Sequence, residues 1–213
     1  MASRVTSTRD QIVEGAYAAL LVEGLPNLSY DRIAQAAGTS RQLVRYHFRE
    51  PDALMLALCD RLARSYRDAL LGAIDEMAAD RNRLDLFFDF YFDLLEGRGK
   101  PRDDQVYDAL MSRAAASEPV RITLRDQYVL LGEVIANEIT AAHPSLAGGA
   151  AGELSYLFVS LMYGHWRMVG TLGVAEEHRT VSRAAIDRLL ESYLRKASPS
   201  MAGTQPWAVV DES

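Results

Sequence analysis

Residues 33–48 read Ile33-Ala34-Gln35-Ala36-Ala37-Gly38-Thr39-Ser40-Arg41-Gln42-Leu43-Val44-Arg45-Tyr46-His47-Phe48. The stretch holds the parts of two short helices joined by a tight turn. Small side chains at Ala34 and Ala37 let the second helix cross the first closely. Gly38 stands where the turn needs a positive φ, which glycine adopts without a Cβ clash. Ser40 is suited to cap the following helix, because its hydroxyl can accept a backbone N–H left unpaired in the first turn. Val44 faces inward and locks the pair, and Phe48 closes it with an apolar plug. The outward faces of the second helix carry Arg41, Gln42, Arg45, Tyr46 and His47, side chains able to reach base edges or phosphates.

Upstream, a helix is predicted after Thr8, with Gln11 three residues on as a capping box. Its apolar stripe is Ile12, Ala16 and Leu20 beside Val13, Tyr17 and Leu21. Gly24 fits the C-terminal stop, and Pro26 prevents continuation. Ser29 caps the next helix, predicted over 30–37, and Ser40 the one over 41–47. Downstream, Pro51 suits the first turn of a long fourth helix, where its missing N–H costs nothing. That helix runs through Leu54, Leu58 and Leu62 toward Met77. Five more helices are predicted at about 84–95, 104–115, 119–142, 149–172 and 180–196. The breaks between them are marked by 97–101, Glu118-Pro119, His143-Pro144 and Gly173. No alternating strand pattern appears, so the fold class is all-α with about nine helices. A small helix-turn-helix domain is expected over 1–50 and a larger helical domain over 51–197. The turn-rich tail, 198–213, reads as mobile.

The formal net charge of −6 argues against a nucleic-acid partner when the chain is taken as a whole. The distribution argues otherwise. Residues 1–50 carry six Lys/Arg against five Asp/Glu, a net of +1, which leaves −7 to the remainder. The N-terminal quarter is therefore the electrostatic footprint for DNA, and the acidic remainder helps orient the molecule on it. Cys59 is the only cysteine, which excludes an intrachain disulfide and fits a reducing cytoplasm. Between Met55 and Leu62 it is expected as a small buried apolar group rather than a redox sensor. His47, His143, His165 and His178 are scattered without metal-ligand spacing, so neither metal nor cofactor is expected. The N-terminus lacks the apolar run of a signal peptide. The apolar stretch 154–168 is short for a membrane span and is interrupted by His165 and Arg167, so no membrane contact is expected.

Arg9, Ile12, Ala16, Glu23-Gly24, the Ile33-Ala34…Ala37-Gly38…Ser40 turn and the Tyr46-His47-Phe48 ending resemble the N-terminal domain of the TetR (tetracycline repressor) family. These are helix-turn-helix transcriptional regulators. The resemblance covers residues 9–58, including Leu54. It implies that Thr39, Arg41, Gln42 and Tyr46 face the major groove and that His47 touches phosphate; Ser40 and Arg45 complete the DNA-binding candidates. Two positions depart from the family pattern. Arg45 replaces the usual tyrosine and can contact phosphate or read a guanine bidentately. Pro51 replaces a lysine at the start of the fourth helix, which removes a phosphate contact that Arg49 is placed to supply. A single short recognition helix touches only a few base pairs, whereas a two-fold dimer sets two helices in successive major grooves roughly 34–36 Å apart. A homodimer on a palindromic operator is thus predicted, and repression rather than activation follows from the resemblance alone.

The resemblance also implies a regulatory domain that takes a small ligand. Phe87, Phe88, Phe90, Tyr91 and Phe92 form a run too dense for one helix face. Phe88, Tyr91 and Phe92, with Tyr107, Met111, Tyr128, Met162, His165 and Trp166, can line a cavity for an apolar or aromatic molecule. Solid core packing is the alternative for each of them. The helix over 154–168 is apolar nearly all round and is expected to be covered on two sides. Its own domain can supply both covers, or a dimer partner can supply one through a four-helix bundle with 180–196. Tyr156, Ser160, Tyr163, Arg167, Leu189 and Tyr193 are the candidates for that interface. Two rivals stand beside this reading: a DNA-binding factor with no small-molecule effector, and a small helical enzyme. The second lacks a nucleophile at recognisable spacing from His47.

Overall fold

A computed structural model of the chain describes residues 7–76, 82–96, 100–146, 149–195 and 205–208. Among the described residues there are nine α-helices and no strand. They are α1 (Thr8–Glu23), α2 (Tyr30–Ala36), α3 (Arg41–His47), α4 (Pro51–Asp75), α5 (Arg83–Tyr91), α6 (Asp104–Ala114), α7 (Glu118–Ala142), α8 (Gly149–Gly170) and α9 (Arg179–Arg195). Short 3-10 turns at Leu25–Asn27, Pro144–Leu146 and Glu176–His178 fill three of the breaks.

Two helix ends differ from the expected ones for local reasons. The cap of α1 is Ser7, one residue earlier than Thr8. Its Oγ accepts from the Asp10 backbone N–H at 3.1 Å, and the Asp10 carboxylate accepts from the Ser7 N–H at 3.3 Å. A carboxylate is a stronger acceptor than the Gln11 amide, so the box closes on Asp10. The fifth helix stops at Tyr91, not at Leu95. Asp93 takes a left-handed φ of 56°, and the Leu94 N–H reaches back to the Asp89 carbonyl at 2.8 Å. This is the hydrogen-bond pattern of a Schellman stop with aspartate in place of glycine.

The described chain divides into two compact units, one formed by residues up to Ser65 with Arg102–Asp126, the other by Tyr66–Pro101 with the residues from Gln127 onward. This division differs from the 1–50 boundary read from the sequence. Val106, Ala109 and Leu110 of α6 are buried, and α6 packs on α1. The first unit also contains Asp52, which accepts from Arg113 Nε at 2.6 Å and from Ser117 Oγ at 2.8 Å. The Ser117 and Arg113 hydrogen bonds hold the Asp52 carboxyl below the usual range.

In the second unit Phe87, Phe88, Phe90 and Phe92 are all buried, so the dense aromatic run is core throughout. Phe158 of α8 is the hub, with ring centroids 4.8 Å from Phe88, 5.9 Å from Tyr91 and 5.8 Å from Phe92. The Trp166 indole donates to the Tyr91 carbonyl at 2.8 Å. Arg183 lies 5.1 Å from the Phe88 ring centroid and binds Asp85 at 3.0 Å, Asp89 at 2.8 Å and Asp187. Of the segment 198–213, the structure describes 205–208. There the Trp207 indole donates to Ser155 Oγ at 2.8 Å, and a Cβ on Gly132 would lie 2.0 Å from the ring. Cys59 is fully buried, and burial pushes its thiol up to about 12, in line with a packing role. No helix of the structure is long and apolar enough to cross a membrane.

Tyr17 donates to the buried Asp103 carboxylate at 3.1 Å, and Arg61 lies 3.4 Å from its ring centroid while pairing with Glu14. Burial, then the Asp103 charge, push the Tyr17 phenol up to about 12. A phenol raised above its unfolded value near 10 stabilises the fold fully below that pH and loses the contribution as pH rises through 12. Tyr17 is half-exposed, so the contribution is about 1 kcal/mol. In urea unfolding, wild type is expected to exceed Tyr17→Phe by about that amount at pH 8, with the gap closing toward pH 12. A gap constant over that range would contradict the assignment.

Candidate nucleic-acid interface

The turn between α2 and α3 is built from backbone hydrogen bonds that need particular residues. Gly38 has φ +62°, its N–H donates to the Gln35 carbonyl at 3.2 Å, and the Thr39 N–H donates to Ala34 at 2.9 Å. These two bonds form a Schellman motif, which satisfies carbonyls at the end of α2 and reverses the chain at once. Ser40 Oγ then accepts from the Leu43 N–H at 3.2 Å and starts α3. Ser29 Oγ does the same for α2, accepting from Arg32 N–H at 3.3 Å. Val44 and Phe48 are completely buried, and the Phe48 carbonyl accepts from the Tyr30 hydroxyl at 3.1 Å. The plug is thus pinned at both its ring and its backbone.

The sequence-predicted contact residues fall on the opposite side of α3. Ser40, Arg41, Gln42, Arg45 and Tyr46 are exposed, and Thr39 and His47 are half-buried. Tyr46 is 67% exposed, a large apolar ring that nothing in the folded unit requires to be outside. His47 meets it edge-on at 5.3 Å. Arg41 pairs with Asp31 at 3.1 Å across the turn. Arg45 makes no ion pair among the described residues. Arg9, counted only as part of the N-terminal motif, lies 5.0 Å from the Phe48 ring centroid.

No protein-family profile matches the chain. A helix-turn-helix transcriptional repressor of Mycobacterium tuberculosis, Rv1474c, is 32% identical over 105 residues, which are 47% of this chain and 54% of that protein. The match thus spans about half of that relative's length. A TetR transcription regulator from Haloarcula marismortui superimposes with a TM-score of 0.71 at 19% identity, covering 87% of this chain and 97% of the other. The chain therefore has the fold of TetR-type regulators. A transcriptional regulator from Saccharomonospora viridis, solved in complex with choline, shares the fold. Its TM-score is 0.68 at 23% identity, over 86% of this chain and 95% of that one.

The ligand candidates of the chain belong to both units. Phe88, Tyr91, Phe92, Met162, His165 and Trp166 are buried in the second unit, with Tyr128 half-buried there. Burial raises the Tyr128 and Tyr91 phenols. Tyr107 and Met111 instead belong to α6 of the first unit, because α6 packs on α1. Of the interface candidates, Tyr156 and Ser160 are exposed, and Tyr163, Arg167, Leu189 and Tyr193 are half-buried. Tyr193 donates to Glu153 at 3.0 Å, and Tyr156 meets the Trp207 ring at 5.5 Å. No group of three or more His, Cys, Asp or Glu side chains that could hold a metal ion occurs among the described residues.

Sequence reading missed Gly15, on which the pose of the turn depends. A Cβ at Gly15 would lie 2.6 Å from Ala37 Cβ and 2.7 Å from its backbone nitrogen. The signal was present as a small residue beside the Ile12, Ala16 stripe, but only its partner across the fold gives it meaning. Gly15→Ala is expected to destabilise the protein by about 1–3 kcal/mol through overpacking, despite the helix propensity of alanine. Thermal melts of the two proteins check this, and an unchanged or raised midpoint would refute the close approach.

Proposed function

We propose that this chain is a transcriptional repressor that binds a palindromic operator as a homodimer and is released by a small effector. The observation that carries the reading is the exposed row Gln42, Arg45 and Tyr46 on a helix capped and plugged so firmly that its pose is set before DNA arrives. The repressor description of the Mycobacterium tuberculosis relative supports it. An effector shifts such a protein only through different affinities for its operator-bound and released states. The choline complex of the Saccharomonospora viridis regulator supports a small-molecule effector here. The tight packing of Phe88 and Phe92 on Phe158 favours the rival without effector at those two positions.

Dimerisation has its own support. The inward face of α8 is buried, yet its outer face and the turn after it expose Tyr156, Leu157, Met168 and Leu172, all apolar. Val181 and Leu194 of α9 are exposed as well. A covered apolar face of this kind is what a second copy supplies. Sedimentation is expected to give a dimer for wild type and a folded monomer for the double variant Leu157→Glu, Met168→Glu. A wild-type monomer at micromolar concentration would exclude the operator model.

Fluorescence anisotropy on the DNA upstream of the chain's own gene, against scrambled DNA and across salt, tests the whole reading. Arg45→Ala is expected to weaken specific binding by about 1–3 kcal/mol. An equal loss on every sequence would make Arg45 a phosphate contact. Weak binding, equal on both DNAs for wild type, would count against a repressor of this gene.

A further inference from the structure

The chain contains only two lysines, Lys100 and Lys196, beside twenty-one arginines. Lys100 is not a surface charge. It is 5% exposed, and its Nζ stands 3.9 Å from the centroid of the Trp166 ring, which is itself 4% exposed. Nζ also donates to the Pro101 carbonyl at 3.3 Å. Trp166 itself stands among other rings. Trp166 is held through its indole N–H on the Tyr91 carbonyl, His165 meets Trp166 edge-on at 4.9 Å, and Tyr66 stacks on Tyr91 at 6.5 Å. The Tyr66 hydroxyl shares the Pro101 carbonyl at 3.5 Å.

A buried ammonium on an indole face is the arrangement by which proteins recognise organic cations. Here the cation is covalently part of the chain. We propose that the Trp166 face is a binding site for a small organic ammonium ion, and that Lys100 is its built-in occupant, displaced when the free cation binds. An arginine would not serve as well, because its broad planar fork stacks over a larger area and is released less readily than a compact ammonium. A tethered group competes at an effective concentration on the order of millimolar, so free ligand must exceed that handicap, and removing the tether removes it. As an effector site the assignment rests on the repressor reading; as a binding site it stands without it.

Two measurements on the full chain test it, with tetramethylammonium as the probe and equal sodium chloride as the ionic control. In the first, surface amines are acetylated and mass spectrometry reads Lys100 relative to Lys196. Lys100 labelling is expected to rise with tetramethylammonium. Labelling that stays flat, or falls as it would for an anionic ligand covering the ammonium, overturns the proposal. In the second, calorimetric titration compares wild type with Lys100→Met and Lys100→Arg, each shown folded by its thermal melt. Lys100→Met is expected to bind tetramethylammonium at least about tenfold more tightly than wild type, and Lys100→Arg more weakly than wild type. No gain in Lys100→Met, or an equal gain for the neutral tert-butanol, would mean only a packing role for Lys100 or an ordinary cavity, and either overturns the proposal. If Lys100→Met does not fold, the labelling experiment decides. Tight cation binding without release of DNA would leave the site standing and remove only its role as effector site.

Discussion

The approach of Gly15 to Ala37 governs the first unit. Two backbones meet there with no room for a methyl group, and the contact lies one residue before the positive-φ Gly38. Everything that presents α3 depends on it. The Schellman bonds set the direction of the chain after α2, but α1 sets where that turn can stand. Val44 and Phe48 then fill the space left beneath α3. The consequence is a unit whose outward row is positioned by backbone caps and close packing beneath it rather than by contacts of Gln42 and Arg45 themselves.

The second unit solves a different problem. Five aromatic residues in a run of six cannot share one helix face, so α5 must be enclosed on nearly all sides. Enclosure brings the acidic residues of α5 in with it, and Arg183 answers Asp85 and Asp89 while its plane covers Phe88. Breaking such a partly buried network by removing one charge leaves the others uncompensated, which explains why an arginine with a fixed fork stands at its centre. Lys100 sits in the same unit with its compact ammonium on the Trp166 ring.

Legibility followed the range of the interactions. The helix-turn-helix was readable because its determinants lie within twenty residues: Ser29, Ala34, Gly38, Ser40, Val44 and Phe48 all act on near neighbours. The α1 cap moved by one residue because Ser7–Asp10 and Thr8–Gln11 differ only in acceptor strength. The stop of α5 was missed because aspartate rather than glycine took the left-handed position. Non-local pairings were beyond reach. Nothing near Val106 or Leu110 says that α6 joins the first unit, and that pairing is what assigns Tyr107 and Met111 to it. Gly15 and Lys100 were visible as unusual residues, but a glycine in a helix and a rare lysine acquire a role only from what lies opposite them.

The docking of Trp207 into the notch at Gly132 has an optical consequence. Both tryptophans of the chain, Trp166 and Trp207, belong to the second unit, and the first unit has only tyrosines such as Tyr17, Tyr30 and Tyr46. Indole emission therefore follows the second unit alone, whereas far-ultraviolet dichroism follows helices in both. Overlaid transition curves from the two signals would mean that the units melt as one cooperative body; separated curves would mean that the recognition unit can come apart while the indoles still emit from a folded environment.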